Sequence, residues 1–241
     1  PELDEMQRSW ETGLRESARS IEAAWRVLTP EGVEATGGVT LSVEADASVF
    51  SDGELPDNAL YTITATADIT NGVAFRLQML TDDRLPHGSS GRHEEGDFTL
   101  TDFSVLIKSA DGSAAKEISF DFAYADHSMN RYEVGKAVDD NEDTGWAIAA
   151  YEERNRVDRT AVFVANEPFG FGPETICEIR LDQNSPRAKH LLGRFRLSVG
   201  TGDPEAHRAL ADVSDAIRPI AISEPASRSG GERDNLGEYH R

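Results

Sequence analysis

The spacing of apolar residues changes along the chain, from a helical period near the start to a strand period afterwards. In the first 28 residues, apolar side chains recur mostly every three or four positions, with charged residues between them: Leu3, Met6, Trp10, Leu14, Ile21, Trp25 and Leu28. This spacing predicts an amphipathic helix. Val27 favours a strand, and the residue before Pro30 is pushed towards extended geometry, so the helix is expected to end before Trp25.

From about Val39 onward, apolar and polar residues alternate, which is the period of half-buried strands. The Asn71-Gly72 pair separates two such runs and is a strong tight-turn signal, so residues 61–80 are predicted to form a hairpin. The apolar parity slips at Thr101-Asp102, which predicts a β-bulge. Further alternating or apolar runs follow at 118–124, 146–149, 161–164, 177–181 and 195–199.

About nine short strands with turn signals between them predict an all-β fold, an antiparallel two-sheet sandwich. The expected organisation is a helix over 1–24, a sandwich over 25–200 and a helical or linker extension over 201–241. Arg194 and Arg196 flank the apolar parity, so their charged heads should lie at the surface or pair with carboxylates. The predicted core contains Phe75, Leu77, Phe120, Phe122, Trp146, Phe195 and Leu197.

Composition and charge narrow the classes of partner. The 241 residues are 38% hydrophobic, which is enough for one core with appendages. The 44 acidic and 24 basic residues give a net charge of -20, which argues against nucleic acid and anionic membranes as partners and favours the binding of cations.

Cys177 is the only cysteine, which excludes an intramolecular disulfide. No apolar run has the length of a membrane span, so no membrane insertion is expected. Because no signal peptide precedes Pro1, we interpret the sequence as part of a larger protein.

Residues 137–146 concentrate oxygen-bearing side chains and end on Trp146. Carboxylates alternating with amide and hydroxyl oxygens over a short loop are typical of a calcium site. The alternative is an ordinary acidic surface loop, since the spacing is not that of an EF-hand. The candidate metal ligands are Asp139, Asp140, Asn141, Asp143 and Thr144.

The sequence carries none of the common local motifs of catalysis. The six histidines form no H-E-x-x-H pair and are predicted to form no close cluster, and neither a Gly-x-Ser-x-Gly elbow nor a phosphate-binding loop occurs. Cys177 has the parity of Ile179 and Leu181, which predicts a buried residue and not a nucleophile. Two carboxylates could act on a glycosidic bond, but the sequence singles out no pair. We therefore expect a protein that is not an enzyme.

Features of recognition are better represented. The long segments 82–97 and 125–145 interrupt the strands, and long loops on a rigid sandwich commonly carry binding residues. Aromatic faces stack on sugar rings while polar side chains bind the hydroxyls. Two such aromatic residues, Phe169 and Phe171, lie among glycines. The alternative for these two residues is that they cap the open end of the sandwich. The candidate ligand-binding residues are His127, Arg131, Tyr132, Phe169 and Phe171.

Residues 137–146 resemble the Ala-x-Asp-Gly-Asn-x-x-Thr-x-Trp signature of galactose-binding-like, discoidin-type modules. The resemblance implies a jelly-roll sandwich with a structural calcium site, in a family in which many members bind carbohydrate. By resemblance, Asp139, Asn141 and Thr144 take the positions of the ligand loop and Trp146 takes the core position. Asp140 stands where the signature has glycine.

A wider set of segments resembles the region between the two signature domains of large secreted planctomycete cytochrome-c-type proteins. Gln78 and Asp97 stand where that region usually has glutamate and asparagine. The resemblance implies a noncatalytic β-sandwich module in a secreted, periplasmic or cell-surface protein of polysaccharide-degrading bacteria. The segments that carry it are 25–30, 75–80, 96–103, 143–146 and 192–199.

The expected function is that of a carbohydrate-binding-type module that tethers a larger protein to a polysaccharide or other glycan. The main alternative is a structural spacer or protein-docking module that positions neighbouring redox domains and binds no small ligand. An enzyme is a third possibility. A glycan binder should present aromatic rings in an open groove, whereas a spacer should present a larger apolar patch.

Overall fold

The computed structural model of the protein describes residues 2–141 and 143–239, apart from the side chains of residues 2–4. The predictions made for the Leu3 side chain, Glu142 and His240 therefore lie outside the described residues. Four α-helices are present in the described part: α1 (Glu2–Ala24), α2 (Pro204–Ala211), α3 (Arg218–Ile222) and α4 (Gly230–Tyr239). Twelve strands lie between α1 and α2 in the chain. They are β1 (Trp25–Val27), β2 (Pro30–Ala35), β3 (Val39–Val43), β4 (Val49–Gly53), β5 (Ala59–Ile69), β6 (Gly72–Met79), β7 (Asp102–Lys108), β8 (Ala115–Glu117), β9 (Phe120–Ala125), β10 (Arg159–Phe169), β11 (Gly172–Gln183) and β12 (Arg194–Thr201).

The strands form two antiparallel sheets that pack face to face, which confirms the predicted sandwich. The seven-stranded sheet has the order β3-β4-β12-β6-β10-β9, and β1 pairs with β12 beside this path. The five-stranded sheet has the order β2-β5-β11-β7-β8. In each sheet, a strand from near the end of the strand region of the sequence lies close to the centre. This strand is β12 in the seven-stranded sheet and β11 in the five-stranded sheet.

The core between the sheets contains most of the residues that the alternation predicted. Phe75, Leu77, Trp146, Phe195 and Leu197 are buried. Apolar side chains from both sheets meet there and remove their surface from water, which is the main driving force for this packing. Stacked phenylalanine rings connect the layers, with Phe103 and Phe163 only 4.0 Å apart between ring centroids.

Phe122 does not belong to this core, and its predicted position was wrong. On β9, Phe120 pairs with Ala165 and Phe122 pairs with the preceding residue, Val164. The residue between them, Asp121, is therefore an extra residue of a β-bulge, and the bulge reverses the parity of the strand. Phe120 packs against the core of the sandwich, whereas Phe122 packs against the helices on the other side of the sheet.

The predicted hairpin over residues 61–80 was also wrong. β5 pairs with β2 and β11 in one sheet, and β6 pairs with β10 and β12 in the other. Neither Asn71 nor Gly72 has a positive φ, so the primed turn that favours a hairpin is not formed. The turn reverses the chain between the two sheets instead of joining neighbours in one sheet.

At Thr101-Asp102 the chain changes the segment with which it pairs, from the segment at Trp146 to strand β11. The predicted bulge was therefore wrong. β7 begins at Asp102, and Leu100 on the preceding segment forms an isolated bridge to Trp146. As predicted, the flanking arginines of β12 pair with carboxylates. Arg194 lies 2.9 Å from Asp46 and also contacts Asp82.

The four helices cover the outer face of the seven-stranded sheet and form a second apolar layer there. Leu14 and Ile21 are the buried apolar residues of α1 in this layer, and Met6 on the first turns is 57% exposed. The predicted stripe of α1 therefore packs only from about Trp10 onward. None of the helices in the described residues has the length and apolarity needed to cross a membrane. The other members of the layer are Val73, Ala74, Tyr124, Val162, Val164, Leu210, Val213, Ala221 and Leu236.

Candidate functional site

The outer face of the seven-stranded sheet changes from apolar to polar across three neighbouring rows of paired residues. The first row, under the helices, is apolar, and the ring of Trp25 lies on Gly200, where a Cβ would come within 2.6 Å of it. The second row mixes apolar and polar residues, and the third row is polar. The rows are Gly200, Ala74, Val164 and Phe122; then Ser198, Arg76, Val162 and Tyr124; then Arg196, Gln78, Thr160 and Asp126.

A groove of about 520 Å³ opens where the helical layer ends over the second and third rows. This volume is in the range of small-ligand sites. We call it the α1 groove. Its walls come from α1 and α3, and its floor comes from β6, β9 and β10. The lining residues with polar or aromatic side chains are Arg15, Arg19, Glu22, Trp25, Arg76, Gln78, Tyr124, Asp126, Thr160 and Arg218.

Arg76 lies on the floor of the α1 groove and is only 9% exposed. Its guanidinium carbon lies 4.8 Å from the centroid of the Trp25 ring, and its Nη1 donates to Glu22 at 3.0 Å. The Nη2 group donates to Ser198 at 3.4 Å, but Nε has no partner. Burial lowers the pKa of Arg76, although Glu22 acts in the opposite direction. A buried donor without a partner costs about 1–3 kcal/mol, so placing this guanidinium at the floor of the groove costs the fold stability.

Tyr124 and Arg218 hold the wall that α3 forms. The Arg218 guanidinium is buried and lies 5.0 Å from the Tyr124 ring centroid. It donates to the carbonyl oxygens of Leu210 and Val213, both at 2.6 Å, and to that of Ala125. Arg218 therefore fastens the helices to β9 and has a structural role in the groove.

Asp126 stands at the polar end of the groove, beside Gln78 and Thr160. Burial raises the pKa of Asp126, and this effect exceeds the opposing effects of the Thr160 amide and the Arg159 charge. Its Oδ1 accepts a hydrogen bond from the Thr160 amide at 3.0 Å. The carboxylate is therefore held in one place and offers its remaining acceptor positions to a ligand.

The five ligand-binding residues predicted from the sequence do not form one site. Phe169 is 3% exposed, and its ring stacks on Phe75 with centroids 5.0 Å apart. The alternative, that it caps the sandwich, is what the structure shows. Phe171 is 38% exposed at the same end. The other three follow β9, whose last residue, Ala125, pairs with Ala161 near the start of β10, whereas Phe169 is the last residue of β10.

His127, Arg131 and Tyr132 lie on the segment that leads to the acidic loop. The Nε2 of His127 donates to the carbonyl oxygen of Ile148 at 3.1 Å, and burial lowers the pKa of this ring. Arg187 covers the Tyr132 ring at 5.1 Å, whereas Arg131 is exposed. The His127 and Tyr132 side chains thus hold loops together, and none of the three residues lines the α1 groove.

The acidic loop brings several oxygen atoms together around one hydroxyl. The Thr144 Oγ1 lies 2.9 Å from both carboxylate oxygens of Asp139 and 2.9 Å from the carbonyl oxygen of Asn141. The carbonyl oxygen of Lys136 is 3.4 Å away. Backbone amides of the same loop also donate to these acceptors, from Asn141 to Asp139 Oδ1 at 3.0 Å and from Thr144 to the carbonyl oxygen of Asn141 at 3.1 Å. All of these acceptor atoms are hard oxygens, which fits Ca²⁺.

Asp140 and Asp143 take other roles in this loop. Asp140 adopts a φ of 57°, the left-handed conformation that glycine adopts readily. The Asp143 amide donates to Asn141 Oδ1 at 3.1 Å. Asp140 also faces Asp102, whose pKa is raised by burial and further by Asp182, Asp140 and Glu117. The converging oxygens therefore come from Asp139, Asn141, Thr144 and Lys136.

Two histidines are close together, contrary to the prediction from the sequence. The ring centroids of His93 and His190 are 3.8 Å apart, and the rings are nearly parallel. They lie almost a hundred positions apart in sequence on two different connections, so no local spacing could reveal the pair. The prediction for Cys177 is consistent with its burial, which raises the pKa of its thiol to about 12.

The residues of the α1 groove were not identified from the sequence. Arg76 and Gln78 alternate with buried residues on β6, so their outward position could be predicted, but the helical layer that turns this face into a groove could not. Trp25 was placed in a strand, with no indication that it would lie beside Arg76. The grouping depends on contacts between segments far apart in the chain.

Comparison with known proteins gives similarity to solved β-sandwich modules. The sequence matches no protein-family model and no curated protein. A family 29 carbohydrate-binding module shows 12% identity over 83% of this chain and 97% of its own, with a TM-score of 0.31. A variant of such a module complexed with cellulohexaose shows 11% identity over 79% and 96%, with a TM-score of 0.30. Similarity at this level does not carry over a ligand or an activity.

Proposed function

We propose that the chain is a noncatalytic glycan-binding module whose ligand binds in the α1 groove. The observation that carries the proposal is the α1 groove itself, whose floor sets the Trp25 ring and the Arg76 guanidinium beside the polar row of Gln78, Thr160 and Asp126. A sugar offers apolar CH surface together with hydroxyl groups that both donate and accept. The groove offers the complementary set, an aromatic ring with amide, hydroxyl, carboxylate and guanidinium groups.

The size and polarity of the groove support a short glycan segment bound with modest affinity. At about 520 Å³ it accommodates a small ligand and not a folded partner. Each sugar hydroxyl exchanges hydrogen bonds with water for bonds of similar strength in the protein. The expected dissociation constant is therefore roughly micromolar to millimolar.

The carboxylates of the groove support binding and not hydrolysis. Glycoside hydrolysis needs one carboxyl as acid and another as base or nucleophile, placed on either side of the bond. In the groove, Glu22 is engaged by Arg76 at 3.0 Å, and Asp126 is held by the Thr160 amide at 3.0 Å. Because Glu22 is committed to its ion pair with Arg76, Asp126 has no second free carboxyl opposite it among the groove residues.

In this proposal, the module tethers a larger secreted, periplasmic or cell-surface protein to a polysaccharide, with neighbouring domains on either side. This part rests on the resemblance of the segments around Trp25, Phe75 and Phe195 to the inter-domain region of planctomycete cytochrome-c-type proteins. The net charge of -20 supports a neutral glycan over a strongly anionic one.

The test is a screen on a glycan array, with calcium and with EDTA, followed by calorimetry on any glycan that binds. Arg76→Lys and Gln78→Ala should weaken binding at least about tenfold, because each removes a directed hydrogen bond in the groove. Thr62→Ala, on the outer face of the five-stranded sheet, is the matched control and should bind as the parent does. No binding to any glycan would refute the proposal. Loss of binding in Phe171→Ala with full binding in Gln78→Ala would place the ligand elsewhere.

A docking or spacer module is the second candidate, and one observation favours it. Met6 is 57% exposed and Tyr239 is 43% exposed, and Tyr239 stacks on Trp10 with ring centroids 6.1 Å apart. The apolar stripe of α1 thus continues beyond the chain's own helical layer. If hydrogen exchange of α1 slows when adjoining domains are present and no glycan binds, docking is the better account.

A further inference from the structure

The connections before β7 and before β12 meet at one end of the sandwich and are joined there by backbone hydrogen bonds. The Arg92 amide donates to the carbonyl oxygen of Leu191 at 2.8 Å, and the Thr99 amide donates to that of His190 at 2.9 Å. Gly91 and Leu192 form an isolated bridge beside them. The backbone on both sides of His190 is therefore fixed relative to the opposite connection.

A tight turn places two potential ligands opposite His190. The Gly96 amide donates to the carbonyl oxygen of His93 at 2.7 Å, and Gly96 has a φ of 79° that permits the reversal. The turn brings Glu95 Oε2 to 3.7 Å from His93 Nδ1. The potential ligand atoms of His93, Glu95 and His190 all lie within 4.8 Å of one another.

His190 has an unpaired ring nitrogen that is buried at this cluster. The residue is 8% exposed, and its Nδ1 lies 3.0 Å from the carbonyl oxygen of Ala188. A carbonyl oxygen only accepts hydrogen bonds, so Nδ1 carries the proton and Nε2 carries a lone pair. This Nε2 is buried without a hydrogen-bond partner. Metal-bound histidines commonly have this arrangement, in which a carbonyl oxygen accepts from the nitrogen that does not bind the metal.

The positive charge nearest to this cluster already has a partner. Asp97 is fully buried and pairs with Arg187 at 2.9 Å, so the Arg187 guanidinium is held away from the three potential ligands by its own ion pair.

We propose that His93, Glu95 and His190 bind a divalent transition-metal ion, with Zn²⁺ as the best match. Two imidazole nitrogens and a carboxylate oxygen suit Zn²⁺, in contrast to the all-oxygen acidic loop. Ligands around tetrahedral zinc lie about 3.3 Å apart, so the three groups must approach by about 1.5 Å at most. The His93 ring, which stacks on His190 and accepts a hydrogen bond from the Glu95 amide at 3.3 Å, must also turn so that the lone pairs of both rings point to the ion. His93 and Glu95 lie on a partly exposed turn, which leaves room for this rotation. Water would take the fourth position.

The experiment uses the full chain without a histidine tag, titrated with Zn²⁺ in calorimetry and with Co²⁺ in visible spectroscopy. We expect one ion per chain at this site and the intense visible absorption of four-coordinate Co²⁺. His93→Ala and Glu95→Gln should each weaken Zn²⁺ binding at least about tenfold, and both keep the buried His190 that packs the fold. His190→Ala should abolish the Co²⁺ absorption.

The matched control is His87→Asn, an exposed histidine on the same connection, which should leave the affinity and the spectrum unchanged. Asparagine is chosen because His87 has a φ of 58° that asparagine tolerates. Weak Co²⁺ absorption typical of six-coordination, or Zn²⁺ binding that is unchanged in both His93→Ala and Glu95→Gln, would overturn the proposal. Calcium in excess should not displace Zn²⁺, and displacement would assign the bound ion to the acidic loop.

Discussion

Asp140 has a backbone conformation that a side chain makes costly, with a φ of 57°. Replacing it with glycine relieves this cost, so Asp140→Gly should raise the free energy of unfolding by about 0.5–1 kcal/mol. It also removes a negative charge that faces Asp102. Urea unfolding in EDTA measures the effect without any contribution from a metal.

Asp143→Gly is the control for this prediction, because it lies in the same loop without a positive φ. There glycine only adds freedom to the unfolded chain, so it should lower stability by a similar amount. If both variants change stability in the same direction, the conformation of Asp140 is not the cause.

At the scale of elements, the acidic loop should depend on calcium. Asp139, Asn141 and Thr144 would hold the ion with the Lys136 carbonyl, and the ion would bind only the folded loop. A hundredfold excess over the dissociation constant would stabilise the native state by about 2.7 kcal/mol. The melting temperature should therefore be higher in calcium than in EDTA, and the difference should vanish in the double variant Asp139→Ala with Asn141→Ala. Equal melting of the parent in both media would make this stretch an ordinary acidic loop.

Helix α1 is fastened to the C-terminal segment by a buried ion pair. Glu11 and Arg228 are 2.6 Å apart, with side chains 7% and 4% exposed. Removing one partner leaves the other charge buried, so Glu11→Ala should cost about 3–5 kcal/mol. Glu16→Ala, exposed on the same helix, should cost little. Chemical unfolding followed by circular dichroism measures both, and equal effects would mean that the pair does not hold the helix.

The same pair predicts a dependence on pH. Burial raises the pKa of Glu11, but hydrogen bonds from Arg228 and Gln7 outweigh it, so the pKa lies below the usual 4.5. A lowered carboxyl pKa contributes stability that is present above the unfolded value and is lost as the pH falls through the folded value. Glu11→Gln should therefore lose less stability than the parent as the pH falls below about 4.5. The same loss in both proteins would exclude Glu11 as the titrating group.

The elements themselves could be predicted far better than their pairing. Alternation located β5 and β6, but a turn signal such as Asn71-Gly72 does not specify which sheet the next strand joins. One extra residue, Asp121, was enough to turn Phe122 away from the core. The period of a strand is two, so a single bulge reverses the facing of the residues beyond it. Such local insertions leave little trace in an already irregular polar pattern.

At the scale of the molecule, the alternation of apolar and polar residues in the strands does not reveal the helical layer. The spacing that predicts the helices themselves is present in the sequence. Deleting residues 1–20 would take Leu14 out of the helical layer and uncover the faces of α2 and α3 that pack on α1, and it would also remove Glu11 from Arg228. We expect a lower melting temperature and self-association, measured by calorimetry and size-exclusion chromatography. Met6→Ala, at an exposed position, should change neither. An unchanged melting temperature and oligomeric state after the deletion would mean that α1 is not a packing element.

The central position of β11 and β12 has a consequence for synthesis on the ribosome. β11 lies between β5 and β7, and β12 lies between β4 and β6 and also pairs with β1. A nascent chain that ends near residue 170 therefore has neither sheet joined at its centre, and α1 has few of its partners. Protease should digest such stalled chains throughout, and resistance should begin only after residue 201 has left the exit tunnel. A stable fragment at the shorter length would contradict this order. The two halves of each sheet are therefore joined only when β11 and β12 have been made, although outer pairs such as β2-β5, β3-β4 and β9-β10 are complete in the chain before that point.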